Sequence, residues 1–199
     1  AENMKVFLSQ EEAGASVRIW RENHPEVVNY WYALENAIEK TVTRGTKNKV
    51  GMVEFFYNKP YLCCRLPSGR VMYYYKPMVH YEDRQSRNGS TYRKAVISYM
   101  GKNQITTQWE RIESHGGKFT ENIVQAFARD VLATGMRRAH EDGFYIVLHV
   151  HDELGALQRR GDNYFTYQRL GDLMTQEIPW CPGLPLGYGG YGADFYRKD

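Results

Sequence analysis

Residues 146–154 read IVLHVHDEL, a run of β-forming apolar residues that ends in two histidines, an aspartate and a glutamate with no glycine or proline to ease the turn. Three readings compete for these four residues. In the first they are structural, since surface turns often carry acids and a half-exposed strand tolerates histidine. In the second, His149 and His151, alternate residues of one strand, share a sheet face and chelate a transition metal. That reading needs further ligands, and His24, His80, His115 and His140 stand at no helpful spacing. In the third, Asp152 at a hairpin tip is a hard oxygen ligand for magnesium, which favours carboxylates together with substrate phosphates. A partner carboxylate from elsewhere would then let two ions clamp the attacking and leaving oxygens of an in-line phosphoryl transfer. Donors such as the Gln125 amide suit the acceptors that a nucleic-acid minor groove offers at every base pair.

The elements that must position these residues are legible from periodicity. Residues 144–150 alternate as a strand, with Ile146, Leu148 and Val150 facing one way and Val147, His149 and His151 the other. Asp152 and Glu153 fall at the turn into a return strand, LGALQR. Upstream, ENIVQAFARDVLATGMRRAHED reads as a long helix capped by Thr120 and ended by Gly143. Its buried side is expected to comprise Ile123, Phe127, Val124, Ala128 and Val131, whereas Glu121, Gln125 and Arg129, spaced by four, share a second face.

Nearer the N-terminus, SQEE has the form of a capping box between Ser9 and Glu12, opening a helix to about Glu22. Pro25 then suits the first position of a second helix with Val27, Trp31, Leu34 and Ile38 on one stripe, ending before Gly45. Beyond Gly51 the period changes, and YLCCRLPSGRVMYYYKP reads as a hairpin around Pro67, Ser68 and Gly69. The polar stretch YEDRQSRNGSTYRK is expected to be a loop, followed by a short strand pair through AVISYMGKNQITTQWER. A helix over residues 163–176 and a Pro- and Gly-rich tail ending in a short strand complete the chain. No internal repeat is present.

The 199 residues are enough for one sizeable core. A net charge of +3 supplies no basic tail, so a polyanion would be met by local patches such as Arg84, Arg87, Arg93 and Lys94. Three cysteines without CxxC spacing argue against a disulfide framework or a zinc site. No bilayer-length apolar run and no signal-peptide order are present, so no membrane partner is expected and the location is expected to be cytoplasmic, in the host cytoplasm if viral. The sixteen tyrosines suit cores, interfaces and nucleotide stacking alike.

The ordered series LPSGRVMYYYKP, GGKFTENIVQAFARDVLA, YIVLHVHDEL and IPWCPGLPLGYGGYGADFYRK resembles the C-terminal part of family A DNA polymerases, the DNA polymerase I type and its bacteriophage branch in particular, from about Ser9 onward. The resemblance implies an α+β fold, an antiparallel sheet of polymerase palm type with flanking helices and a motif C β-hairpin. Residues 1–48 would be fingers-side helices and residues 49–199 the palm portion. It implies that Asp152, in VHDE, binds catalytic Mg2+ and that Glu153 supports it. His151 would pack on the primer terminus, Gln125 would touch the minor groove of the primer-template DNA, and Arg129, on the same face, would contact phosphate. His149 stands where many relatives carry glutamine, Glu121 stands where bacterial members tend to have asparagine, and Lys118 lies near where they place an arginine.

The family also requires a second aspartate from motif A, and a motif B helix that grips the dNTP. Neither is in this sequence, so the isolated chain is expected to be inactive and to need an N-terminal polymerase segment or subunit as partner. It is expected to be either a segment of a longer polymerase or the second half of a split one starting at Met4. A rival function is a non-catalytic DNA-binding or assembly module derived from such a polymerase.

Overall fold

The computed structural model describes residues 8–86 and 89–196; Met4 and Arg87 lie outside them. The described residues divide into two compact units, one drawn from residues 8–64 and 72–120 and the other from residues 65–71 and 121–196.

In the first unit, helix α1 (Gln10–Asn23) begins at the expected capping box: the Glu12 N–H donates to Ser9 Oγ and the Glu12 carboxylate accepts from the Ser9 N–H at 2.8 Å. That reciprocity satisfies N–H groups that the first helical turn leaves without partners, and it holds the Glu12 carboxyl below its usual range. Pro25 opens α2 (Pro25–Arg44), whose Leu34, Ala37, Ile38 and Thr41 are buried, and Gly45 closes it in a left-handed conformation. The expected stripe is therefore real but centred slightly later, with Val27 and Trp31 only half-buried.

Six strands follow in meander order: β1 (Asn48–Val50), β2 (Val53–Asn58), β3 (Tyr61–Arg65), β4 (Val71–Gln85), β5 (Thr91–Lys102) and β6 (Trp109–Ser114). The molecule is thus α+β with a six-stranded antiparallel sheet. Phe55, Leu62, Ile97 and Phe119 are fully or nearly fully buried in this unit. Cys63 and Cys64 lie beside them as free thiols, and burial, with the neighbouring Cys63 second, pushes Cys64 up to about 12.

The expected loop at YEDRQSRNGSTYRK is instead the far end of the β4–β5 hairpin. Its register sets Glu82 opposite Lys94 and Asp83 opposite Arg93. Opposite charges facing across a ladder support a strand pair that the polar composition conceals when each strand is read alone.

In the second unit, α3 (Gly116–Glu141), whose first turn belongs to the first unit, leads to β7 (Tyr145–Val150), β8 (Glu153–Leu157) and α4 (Tyr167–Met174). Helix α3 starts one turn before Thr120, whose hydroxyl donates back to the Gly116 carbonyl from inside the helix. The Gly116 N–H is capped from afar by the Glu35 carboxylate at 2.7 Å. A side chain at Gly116 would collide with the Trp31 carbonyl, its Cβ only 2.2 Å from that oxygen. The predicted stop holds: Gly143, at φ +104°, donates to His140 O, and Phe144 donates to Ala139 O, a Schellman closure.

Two further expectations fail at the C-terminal end. The helix expected over 163–176 is confined to α4, because the Asp162 carboxylate turns Tyr164 N–H and Phe165 N–H aside and Thr166 caps the helix. Among its described residues the tail forms an isolated bridge between Ile178 and Cys181 in place of a final strand, where Pro179, Pro182 and Pro185 each lack the N–H that a ladder needs.

Candidate functional site

Strands β7 and β8 pair with Val150 opposite Glu153, which leaves His151 and Asp152 as a two-residue turn. His151 adopts φ +51°. Positive φ is uncommon outside glycine, but histidine is among the residues enriched there and two-residue hairpin turns call for it. Because β7 ends at Val150, His151 does not continue the face that carries His149, contrary to the alternation expected from sequence. A bulge adds to this: the register passes from Ile146 opposite Ala156 to Leu148 opposite Gly155, leaving Val147 without a partner.

His151, Asp152 and Glu153 are all exposed. The Tyr196 hydroxyl donates to Glu153 Oε2 at 2.9 Å, and that bond raises the Tyr196 pKa. The contact ties the tail to the turn and occupies one oxygen of Glu153, while Asp152 projects from the tip. Tyr196 is not among the site residues that the sequence suggests, because nothing local marks which of the sixteen tyrosines reaches back.

On α3 the expected polar face exists. Gln125 and Arg129 are exposed, and the Gln125 amide donates to Glu121 Oε1 at 3.4 Å. Val124, at 58% exposure, and Ala128 join this surface instead of the buried side. The buried side runs through Phe119, Ile123, Leu132 and Ala139. Val124 and Ala128 are four apart, adjoining Gln125 and Arg129 on the helix surface.

Arg129 joins the helix to the hairpin. Its two terminal nitrogens lie 3.3 and 3.4 Å from His149 Nδ1 and Nε2. A guanidinium only donates, so His149 accepts through a ring nitrogen with a free lone pair. A transition metal held through His149 would have to displace this cation, which removes support from the histidine-pair reading.

What fixes the azimuth of α3 is a clamp that the sequence reading missed. Asp130, only 9% exposed, accepts from Ser68 Oγ and Arg70 Nε, both at 2.6 Å, and Arg70 also donates to the Ala126 carbonyl at 2.6 Å. The turn Pro67-Ser68-Gly69 thus does more than reverse the chain: it delivers two donors to the helix segment that presents Gln125 and Arg129. The available signal was an aspartate among Ala128, Val131 and Leu132, where an acid is costly unless paired.

Among the described residues, three metal-type ligands converge within 4.8 Å only at His80, Glu82 and Glu113, on β4 and β6. Glu82 is there already paired to Arg84 at 3.0 Å. Asp152 and Glu153 offer two adjacent exposed carboxylates.

Over 198 residues, 98% of the chain, the sequence is 36% identical to a DNA polymerase of Bacillus phage SP02. The chain spans 29% of that relative's length. No family model matches the chain, and no solved structure matches it. Among the described residues, no helix is long and apolar enough to cross a membrane.

Proposed function

We propose that this chain is the palm-side portion of a family A DNA polymerase, with His151, Asp152 and Glu153 as its motif C turn and residues 1–48 as fingers-side helices. What supports the reading is one juxtaposition. An exposed acidic tip and a Gln125/Arg129 face, distant in sequence, are joined by the Arg129–His149 contact, in a chain similar along nearly its whole length to part of a phage DNA polymerase.

The donor set fits magnesium, which keeps much of its water and takes one or two carboxylates. Asp152 would hold the ion, with Glu153 beside it and a second aspartate supplied by the N-terminal polymerase segment. Bound magnesium stabilises the charge that develops as a nucleotide is transferred. The residues of this chain do the positioning. Tyr196 restrains Glu153, leaving Asp152 the outermost carboxylate of the turn. The Gln125 amide donates to minor-groove acceptors of the primer-template duplex, Arg129 meets a backbone phosphate, and His151 packs on the primer end.

The test is reconstitution with the upstream polymerase segment, primer-template, dNTPs and Mg2+. Asp152→Asn is expected to cut extension on the order of a thousandfold, the equivalent of roughly 4 kcal/mol of transition-state stabilisation, with the circular dichroism spectrum unchanged. Extension at the wild-type rate in Asp152→Asn would overturn the assignment. Tight primer-template binding without extension in every combination would identify a DNA-binding module instead.

A further inference from the structure

The six-stranded sheet carries a second surface that the polymerase reading does not use. In the run Tyr73-Tyr74-Tyr75 the period of two splits the rings: Tyr74 is buried against Tyr99 and Phe119, whereas Tyr73 and Tyr75 emerge on the other face. There they meet Tyr61 and Trp109 around a cavity of about 500 Å³ whose lining contains no carboxylate. Tyr73 and Trp109 are each 62% exposed. The ring pairs Tyr61–Tyr73, Tyr61–Tyr75 and Tyr75–Trp109 are inclined at 78°, 43° and 42°. The rings therefore do not stack face to face, and Tyr73 and Trp109 are the most exposed of them.

Cations surround this floor. A bulge between Tyr75 and Met78 carries Lys76 at φ +45°, and its ammonium sits 5.3 Å from the Tyr75 ring centroid. Residues directly opposite in an antiparallel ladder share a face. Lys102 stands opposite Trp109 and Arg111 opposite Met100, a cavity residue. Arg111 is held in place by donating to Lys76 O and Ser98 Oγ, both at 3.2 Å. The nearby Glu110 carboxylate is engaged by Asn103 and Thr106.

We infer that this face is a stacking platform for single-stranded nucleic acid, with bases against Tyr61, Tyr73, Tyr75 and Trp109 and the backbone phosphates met by Lys76, Lys102 and Arg111. Exposed aromatic rings beside cations, around a cavity whose lining holds no carboxylate, match the two requirements of sequence-tolerant single-strand binding. An apolar protein partner would have no use for three cations at the rim. The inference stands apart from the polymerase reading, because every residue in it belongs to the sheet.

The experiment is fluorescence anisotropy of the full chain with a labelled oligodeoxythymidine of about twelve nucleotides, within the span that single-strand binding folds cover. Saturable binding is expected, with quenching of tryptophan emission and a fall in affinity as salt rises. Trp109→Ala and Tyr73→Ala are each expected to weaken binding about tenfold, and Trp109→Phe to retain most of it. Both rings are exposed, so the variants should fold, and circular dichroism checks this. Unchanged affinity in both alanine variants, or self-association of the chain without oligonucleotide binding, would overturn the inference.

Discussion

The two sheets of this protein solve opposite problems. The six-stranded sheet buries Phe55, Leu62, Cys63 and Ile97 almost completely, so its central strands are held by packing. The β7–β8 ribbon leaves Tyr145 at 69%, Leu157 at 59% and Val147 at 48% exposure. An isolated two-stranded ribbon is marginal in water, and this one is steadied by the side-chain contact from Arg129 and the tail contact from Tyr196. One sheet is built to carry load, the other to display a turn. Exposed apolar residues beside an acidic tip also mark a surface fitted for contact with something else, in keeping with the proposed need for further polymerase sequence.

That contrast can be broken or sharpened by substitution. The largest loss of stability is expected in the first sheet, where Phe55→Ala should cost about 3–5 kcal/mol. Chemical denaturation reads this directly, and a cost below about 1 kcal/mol would mean that the sheet is not held by its core. Next comes the helix clamp. Asp130→Ala removes both acceptors for Ser68 and Arg70 and should cost about 2 kcal/mol, discounted because Arg70 is partly exposed. Hydrogen exchange should then quicken along residues 121–132 before it does in the six-stranded sheet; equal acceleration in both would count against a local clamp.

A pH effect follows at Asp142, whose carboxylate receives Arg169 Nε at 2.8 Å. The hydrogen bonds from Arg169 hold its pKa below the ordinary value of 3.8. A depressed folded-state pKa contributes stability that is present above the unfolded value and lost as pH falls through the folded one. Unfolding midpoints of the wild type should therefore drop more steeply below about pH 4 than those of Arg169→Ala. Parallel acid limbs in the two proteins would remove Asp142 from the account. The smallest effect is expected on the ribbon, where Val147→Thr at the unpaired bulge position should change stability by less than about 0.5 kcal/mol; a loss above 1 kcal/mol would show that this ribbon, too, is held by packing.

Much of the local structure was legible. The capping box at Ser9, Pro25 at the head of α2, the turn at Gly69 and the stop at Gly143 all depend on residues within a few positions of one another, and all stand where the sequence put them. The candidate site was half legible. Asp152 was expected at a turn, and it is there; Gln125 and Arg129 were expected on one helix face, and they share it. The shared face of His149 and His151 was not borne out, because strict alternation assumes a strand that continues, and here it ends at Val150 after a bulge.

The amino-acid sequence alone determined the starts of α1 and α2 and the ends of α2 and α3, since capping, proline and glycine act through neighbours along the chain. Tertiary structure decided what those elements were for. Ser68 and Arg70 on Asp130, Arg129 on His149, Tyr196 on Glu153 and the charge ladder of β4 with β5 are all pairings between residues distant in sequence or across a register. No spacing rule encodes them, because a side chain's partner depends on which surfaces the folded backbone brings within hydrogen-bond reach.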